Sequence, residues 1–276
     1  MSENAGIVLR LYLSLSVGMA NCVKWHMTKI FITGASSGIG ESMARFYAGR
    51  GVQLGLVARR ADFLQHLADQ LEPRPAVYAL DVRDAGALTN AANDFITRFG
   101  VPDIVIANAG VSRGTLTELK DDLKVFQEVF DINVMGMVNT FHTFVEPMKQ
   151  QKHGTLVGIA SVAGFRGIPG GGAYSASKAA AIRYCESLRV ELRGTGISVV
   201  TICPGYIKTP MTAVNKFKMP FLIDVDEAVI RFARAIDART SFTVIPWTMG
   251  VAARILRMVP NWLYDRVFSR MPRKPR

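Results

Sequence analysis

From Lys29 onward, short runs of β-branched and aliphatic residues alternate with longer stretches whose apolar positions recur every three or four residues. The runs predict strands at 29–33, 53–58, 76–80, 103–107, 154–160, 197–203 and 241–245. The longer stretches predict helices at 39–50, 61–71, 84–99, 119–149, 173–193 and 226–238. Strands and helices in this alternation build βαβ units with right-handed crossovers. The predicted fold class is therefore α/β, a doubly wound parallel sheet of seven strands with helices on both faces.

Composition bounds this picture without changing it. Of the 276 residues, 49% are hydrophobic and 20% charged, enough apolar material to fill a large core and too much for a disordered chain. That length allows one or two domains, and the absence of a repeat or low-complexity linker favours one, spanning 27–246. Residues 1–26 form an N-terminal extension of open status. Its apolar stretch, Ile7 to Ala20, is interrupted by Arg10 and falls short of the ~20 residues a bilayer-spanning helix needs. Either it is a signal peptide, or Met27 is the natural start and the segment upstream is a loose extension or a start-site artefact.

The three cysteines, Cys22, Cys185 and Cys203, show no disulfide or zinc spacing, and the four histidines are scattered. A reducing, cytoplasmic compartment and no metal site are the expectations. The net charge of +11 is uneven. Residues 250–276 hold seven basic residues against Asp265, or 7 − 1 = +6, which marks a basic tail and weakens any reading as a nucleic-acid binder. Within the tail, which forms a C-terminal extension at 247–276, Val251, Ala252, Ile255, Leu256, Val259, Leu263 and Val267 alternate with Arg254, Arg257, Arg266 and Arg270, broken at Pro260. This predicts two short basic amphipathic helices, with three destinations open: peripheral contact with an anionic membrane surface, a cap over a cleft, or a subunit contact.

Candidate chemistry begins at Thr33-Gly34-Ala35-Ser36-Ser37-Gly38-Ile39-Gly40, which follows an apolar strand and opens a helix. Glycines there let backbone approach a pyrophosphate, and the helix N-terminus favours an anion. The second strand runs into Arg59-Arg60, with no acidic residue before Asp62. NAD sites usually carry a carboxylate at this point for the ribose hydroxyl, whereas guanidiniums suit a 2′-phosphate, so NADP(H) is the expected cofactor.

Further along, Tyr174 and Lys178 stand one helical turn apart, on one face of a predicted helix. Such a pair alone is weak evidence. Ser161 ends the apolar strand before it, and Gly34, Asn108, Ser161 and Pro204 all fall at carboxyl ends of predicted parallel strands, where functional groups gather.

Taken together, Thr33 to Gly40, Asp81, Asn108-Ala109-Gly110, Asn133, Ser161, Tyr174, Lys178 and Pro204-Gly205 resemble the short-chain dehydrogenase/reductase family in its compact, single-domain, Rossmann-like branch. The likeness covers roughly residues 28–240, with every motif in order. It implies an oxidoreductase that interconverts a ketone or aldehyde and an alcohol. Tyr174 would be the proton-transfer group and Lys178 would lower its pKa and hold the nicotinamide ribose. Ser161 would hydrogen-bond the reacting oxygen, and Asn133 would anchor a water that relays protons to Lys178. Asp81 should meet the adenine with Val82 beside it, Asn108, Ala109 and Gly110 should line the cofactor cleft, and Ile207 and Thr209 should contact nicotinamide or phosphates.

Met211, Phe217, Met219, Phe221 and Leu222 resemble the family's substrate lid and favour an apolar or lipid-like substrate. The resemblance also implies a homodimer or homotetramer paired through the helices at 119–149 and 173–193. Two competing readings remain: an NADP(H)-binding sensor on the same fold, which needs no proton-transfer set, and a sugar-nucleotide epimerase, which normally needs a larger substrate domain.

Overall fold

The computed structural model describes residues 28–215 and 218–269. The expectations for residues 1–26, Met27, Phe217, Arg270, Arg273, Lys274 and Arg276 lie outside the described residues. The sheet comprises β1 (Lys29–Thr33), β2 (Gln53–Ala58), β3 (Ala76–Ala79), β4 (Ile104–Ala107), β5 (Gly154–Ile159), β6 (Ile197–Pro204) and β9 (Phe242–Ile245), in the order β3-β2-β1-β4-β5-β6-β9. Every neighbouring pair is parallel. Chain order reverses between β1 and β4, a switch point that opens a crevice at the carboxyl ends of those strands.

The central strands are largely apolar because both their faces are covered. On β1, Ile30 and Ile32 point to one face, where they join Met43, Tyr47 and Phe232. Phe31 points to the other, meeting Phe95 edge-on at 5.6 Å and Phe144 at 4.8 Å between ring centroids. The alternation of the strand thus divides a single run of residues between two cores.

Helices α1 (Gly38–Ala48), α2 (Ala61–Ala68), α3 (Ala85–Phe99), α6 (Gly172–Glu191) and α8 (Val225–Asp237) fall where the periodicity puts them, with ends shifted by a few residues. The helix expected at 119–149 is instead divided. It starts as α4 (Asp122–Phe130), widens into a π-helical turn (Asp131–Met135) and resumes as α5 (Gly136–Gln151). The wide turn carries the side chain of Asn133 into the interior, where three hydrogen bonds hold it. After β6 come a two-stranded ribbon, β7 (Ile207–Lys208) with β8 (Ile223–Asp224), and between them the four-residue α7 (Pro210–Ala213). The C-terminal extension forms the two expected helices, α9 (Trp247–Met258) and α10 (Asn261–Phe268), separated at Pro260.

Candidate active site

The loop from β1 into α1 is tied to the end of β4. The buried Thr33 hydroxyl accepts from the backbone N–H of Asn108 (3.2 Å) and Ala109 (3.3 Å), while the Asn108 amide donates to the carbonyls of Thr33 and Gly34, both at 3.1 Å. Gly34 sits at φ +70°, and a Cβ on Gly40 would lie 2.2 Å from the Gly34 carbonyl oxygen. Glycine is therefore required at both positions for the helix to start this close to the strand. Ser37, the N-cap of α1, makes no side-chain capping bond.

A cavity of about 310 Å³ runs from this loop along the strand ends. Of the residues singled out in the sequence, Gly34, Ser36, Ser37, Gly38, Ile39, Arg59, Arg60, Asp81, Val82, Asn108, Ala109, Gly110, Ser161, Tyr174, Lys178, Pro204, Gly205, Ile207 and Thr209 line it. Gly40 and Asn133 do not; the first packs under the loop and the second lies behind the wall.

At the far end, Arg60 donates to the Ser36 hydroxyl (3.0 Å) and carbonyl (3.2 Å), which docks it beside the glycine loop. Arg59 lies 3.7 Å from the Asp81 carboxylate, which Arg83 binds at 2.7 Å. The Arg83 hydrogen bond, with the charge of Arg59 behind it, holds the Asp81 carboxyl below its ordinary value. Asp81 is thus the counter-ion of two arginines as well as a wall residue.

At the other end, Ser161 closes β5 and caps a single 3₁₀ turn (Val162–Gly164), accepting from Ala163 N–H at 3.2 Å. A Cβ on Gly164 would lie 2.8 Å from the backbone of Lys178 and Ala179, so the glycine lets this turn rest on α6. That contact sets Ser161 beside Tyr174, whose phenol oxygen is within reach of hydrogen bonds from the Ser161 and Ser112 hydroxyls. Burial pushes the Tyr174 phenol above its ordinary value, and the two serine hydroxyls oppose the shift. One turn along, Lys178 is 5% exposed and donates from Nζ to the Ile159 carbonyl at 2.8 Å. Burial lowers its pKa from 10.5 to about 8.

Asn133 is fully buried. Its Oδ1 accepts from Val111 N–H at 2.8 Å, and its Nδ2 donates to the Val111 carbonyl and the Ser177 hydroxyl, each at 3.0 Å. Both amide hydrogens are therefore used, leaving one acceptor lone pair on the side chain. A Cβ built on Gly110 would lie 3.2 Å from Asn133 Oδ1 and 3.5 Å from Lys178 Nζ, which places the three residues together.

A second cavity, of about 370 Å³, shares Ser161, Tyr174, Gly205, Met211 and Thr212 with the first. Tyr174 therefore stands where the two meet. The second cavity is walled by Phe165, Ile168, Tyr206 and Phe221 and, from the C-terminal helices, by Met249, Ala252, Ala253, Leu256 and Phe268. Of the three destinations open to the tail, a wall of the cleft is one it occupies. Arg166 fixes it there. Its guanidinium donates to the Leu256 and Val259 carbonyls at the end of α9 and to Asn261, and stacks 3.9 Å over the Tyr264 ring.

Sequence reasoning missed Ser112, Arg166 and Tyr206. The only signal for Ser112 was a hydroxyl just beyond Asn108-Ala109-Gly110 at a strand end. Arg166 carried none, because its partners lie about 90 residues along the chain, and Tyr206 stands in no recognisable pattern.

The description of the short chain dehydrogenase family matches residues 28–219, more than half of the chain. An oxidoreductase of Myxococcus xanthus, itself uncharacterized, is 39% identical over 246 residues, covering 87% of this chain and 96% of its own. The Arabidopsis thaliana protein named 11-beta-hydroxysteroid dehydrogenase-like 4A is 37% identical over 187 residues, covering 66% of this chain and 62% of its own. Among solved structures, an alcohol dehydrogenase of Thermococcus sibiricus complexed with 5-hydroxy-NADP superposes with a TM-score of 0.69 at 28% identity, covering 79% of this chain and 95% of that one. The chain belongs to the short-chain dehydrogenase family. It is an oxidoreductase of that family, with its single Rossmann-like sheet.

Proposed function

We propose that this protein is an NADP(H)-dependent reductase of apolar, lipid-like ketones or aldehydes, acting also in reverse on the corresponding alcohols. The observation that carries the reading is the position of Tyr174 at the junction of two cavities, bonded to Ser161 and Ser112 with Lys178 one turn away. One cavity has the glycine cradle and paired arginines that suit a dinucleotide phosphate. The other is mostly apolar.

The cofactor would be held by the loop from Gly34 to Gly40, by Arg59 and Arg60 at the 2′-phosphate, and by Asp81, Val82, Asn108, Ala109 and Gly110 along the cleft. Pro204, Gly205, Ile207 and Thr209 would form the wall near the nicotinamide. The bound cofactor supplies or accepts the hydride. Preference for NADP(H) is supported by the docking of Arg60 on Ser36 beside the glycine loop and by Arg59 and Arg60 standing at the end of β2, where an NAD site carries a carboxylate. The Thermococcus sibiricus structure holds an NADP derivative.

In the reduction direction, Tyr174 donates its phenolic proton to the carbonyl oxygen, and Ser161 hydrogen-bonds the same oxygen as negative charge develops there. The Lys178 ammonium stabilises the phenolate left behind. Asn133 positions Lys178 through the Val111 and Ser177 contacts, with its remaining acceptor available to a relay water. The sensor reading needs none of these groups.

On this reading residues 27–246 are the catalytic unit and 247–276 an extension, of which Met249, Ala252, Ala253, Leu256 and Phe268 complete the substrate wall. Exposed Leu123, Phe126 and Met135 on the divided helix support pairing into a homodimer or homotetramer. Cys185 and Cys203 are buried and free, in keeping with a reducing cytoplasm. The test is NADPH oxidation against a chain-length series of ketones and aldehydes. Turnover should rise with chain length, and absence of turnover across the series counts against the reading.

A further inference from the structure

Helix α9 is apolar on two sides. Met249, Gly250 and Ala253 are buried against the body of the fold, and Leu256 faces the substrate cavity. On the opposite side Trp247, Val251, Ile255 and Met258 follow one another at helical spacing, with exposures of 71%, 44%, 55% and 77%. Helix α10 repeats the arrangement: Tyr264 is buried and Phe268 lines the cavity, while Trp262 (70% exposed), Leu263 and Val267 face outward. A water-facing helix surface ordinarily carries few such residues, and an exposed tryptophan on the outward side of each helix is characteristic of a membrane interface, where an apolar ring body meets wet headgroups.

Charge narrows the choice of partner. Arg254, Arg257 and Arg266 are exposed among these apolar residues, against Asp265 alone, and the sequence beyond adds Arg270, Arg273, Lys274 and Arg276. A second copy docking by the same face would set these arginines against their own counterparts. An anionic surface complements them. No helix among the described residues is long and apolar enough to cross a membrane, so any attachment through this face is peripheral. The helices are held firmly enough to act as a platform, through the Arg166 bonds to the end of α9 and the Tyr264 hydroxyl donating to the Gly167 carbonyl at 2.5 Å.

We propose that the outward face of the C-terminal helical pair docks the protein on an anionic membrane surface, and that the substrate cavity behind the same helices is filled with carbonyl lipids from that surface. The second half rests on the reductase reading; the first stands without it.

The experiment is flotation of the full chain with phosphatidylglycerol/phosphatidylcholine vesicles, beside pure phosphatidylcholine, at low and high salt. The protein should float with the anionic vesicles at low salt, with a blue shift of tryptophan emission, and be released at high salt. Ile255→Glu/Trp262→Glu should lower the bound fraction by roughly tenfold or more while leaving the thermal midpoint and NADPH binding unchanged. If that variant folds poorly, Arg254→Glu/Arg257→Glu reads the electrostatic half alone. Failure of the wild type to float, or undiminished flotation of the folded variants, overturns the proposal. So does light scattering that shows a wild-type oligomer split by the same substitutions, since the face then belongs to a second copy. No step involves turnover, so any of these failures leaves the reductase reading intact.

Discussion

Replacing Lys178 by Met separates the cost of the buried ammonium from its use. Burial lowers the Lys178 pKa from 10.5 to about 8, and at roughly 1.36 kcal/mol per pKa unit this corresponds to about 3 kcal/mol of destabilisation while the folded protein carries the charge. The sign follows from proton binding. Between about pH 8 and 10.5 the unfolded chain keeps the proton that the folded chain has released, so wild-type stability from this group rises with pH across that window. Below pH 8 the cost is fully present, partly offset by the bond from Nζ to the Ile159 carbonyl, worth about 1.5–3 kcal/mol for a charged donor. Lys178→Met removes both, so the two proteins should have similar stability at pH 7, within about 2 kcal/mol. Wild type should then gain on the variant by about 3 kcal/mol on going to pH 10.5. Urea unfolding of both proteins without cofactor, at closely spaced pH values, gives the difference, in which titrating groups outside the reach of Lys178 cancel. Parallel stability curves from pH 7.5 to 10.5 would show that Lys178 is not a strained buried ammonium.

Substituting Arg59 and Arg60 together by Ala should weaken NADPH binding by roughly 1.5–3 kcal/mol and NADH far less, read by fluorescence titration; equal losses would reject a 2′-phosphate site. Ser112→Ala removes one of the two hydroxyls that oppose the upward shift of the Tyr174 phenol. The rising limb of the pH profile for alcohol oxidation, where the phenol must lose its proton to act as base, should therefore move to higher pH with NADPH affinity unchanged, whereas an unmoved limb would deny Ser112 any part in tuning the phenol.

The seven sheet strands were legible in the sequence because each is a short, mostly apolar and β-branched run bounded by polar or turn-forming residues, the mark of strands in a sheet packed between helices. In the wall of the first cavity, Gly34, Asn108, Ser161 and Pro204 were legible from topology, since strand ends in such a sheet converge, whereas Asp81, Val82, Ala109, Gly110, Ile207 and Thr209 followed only from the family resemblance. The division of the helix around Asn133 was not. Val129, Ile132, Met137, Phe141 and Phe144 keep an apolar rhythm through the widened turn, and only the distant partners Val111 and Ser177 reveal why it widens. The β7–β8 ribbon has two residues per strand, too few for any period. Tail residues signalled amphipathic helices correctly, but the sequence could not rank their destinations, because the Arg166 contacts that seat them on the cleft join segments about 90 residues apart.

The most direct measurement compares wild type and Tyr174→Phe for NADPH affinity and for kcat on a long-chain ketone. The substitution deletes one hydroxyl at the junction of the cavities and leaves the ring and the phosphate loop in place. NADPH should bind the variant as it binds wild type, with kcat reduced by about 100-fold or more, the ordinary contribution of a positioned acid. A variant that turns over at the wild-type rate would mean that the proton comes from another group, and that the site built around Tyr174, Ser161 and Lys178 is not the catalytic one.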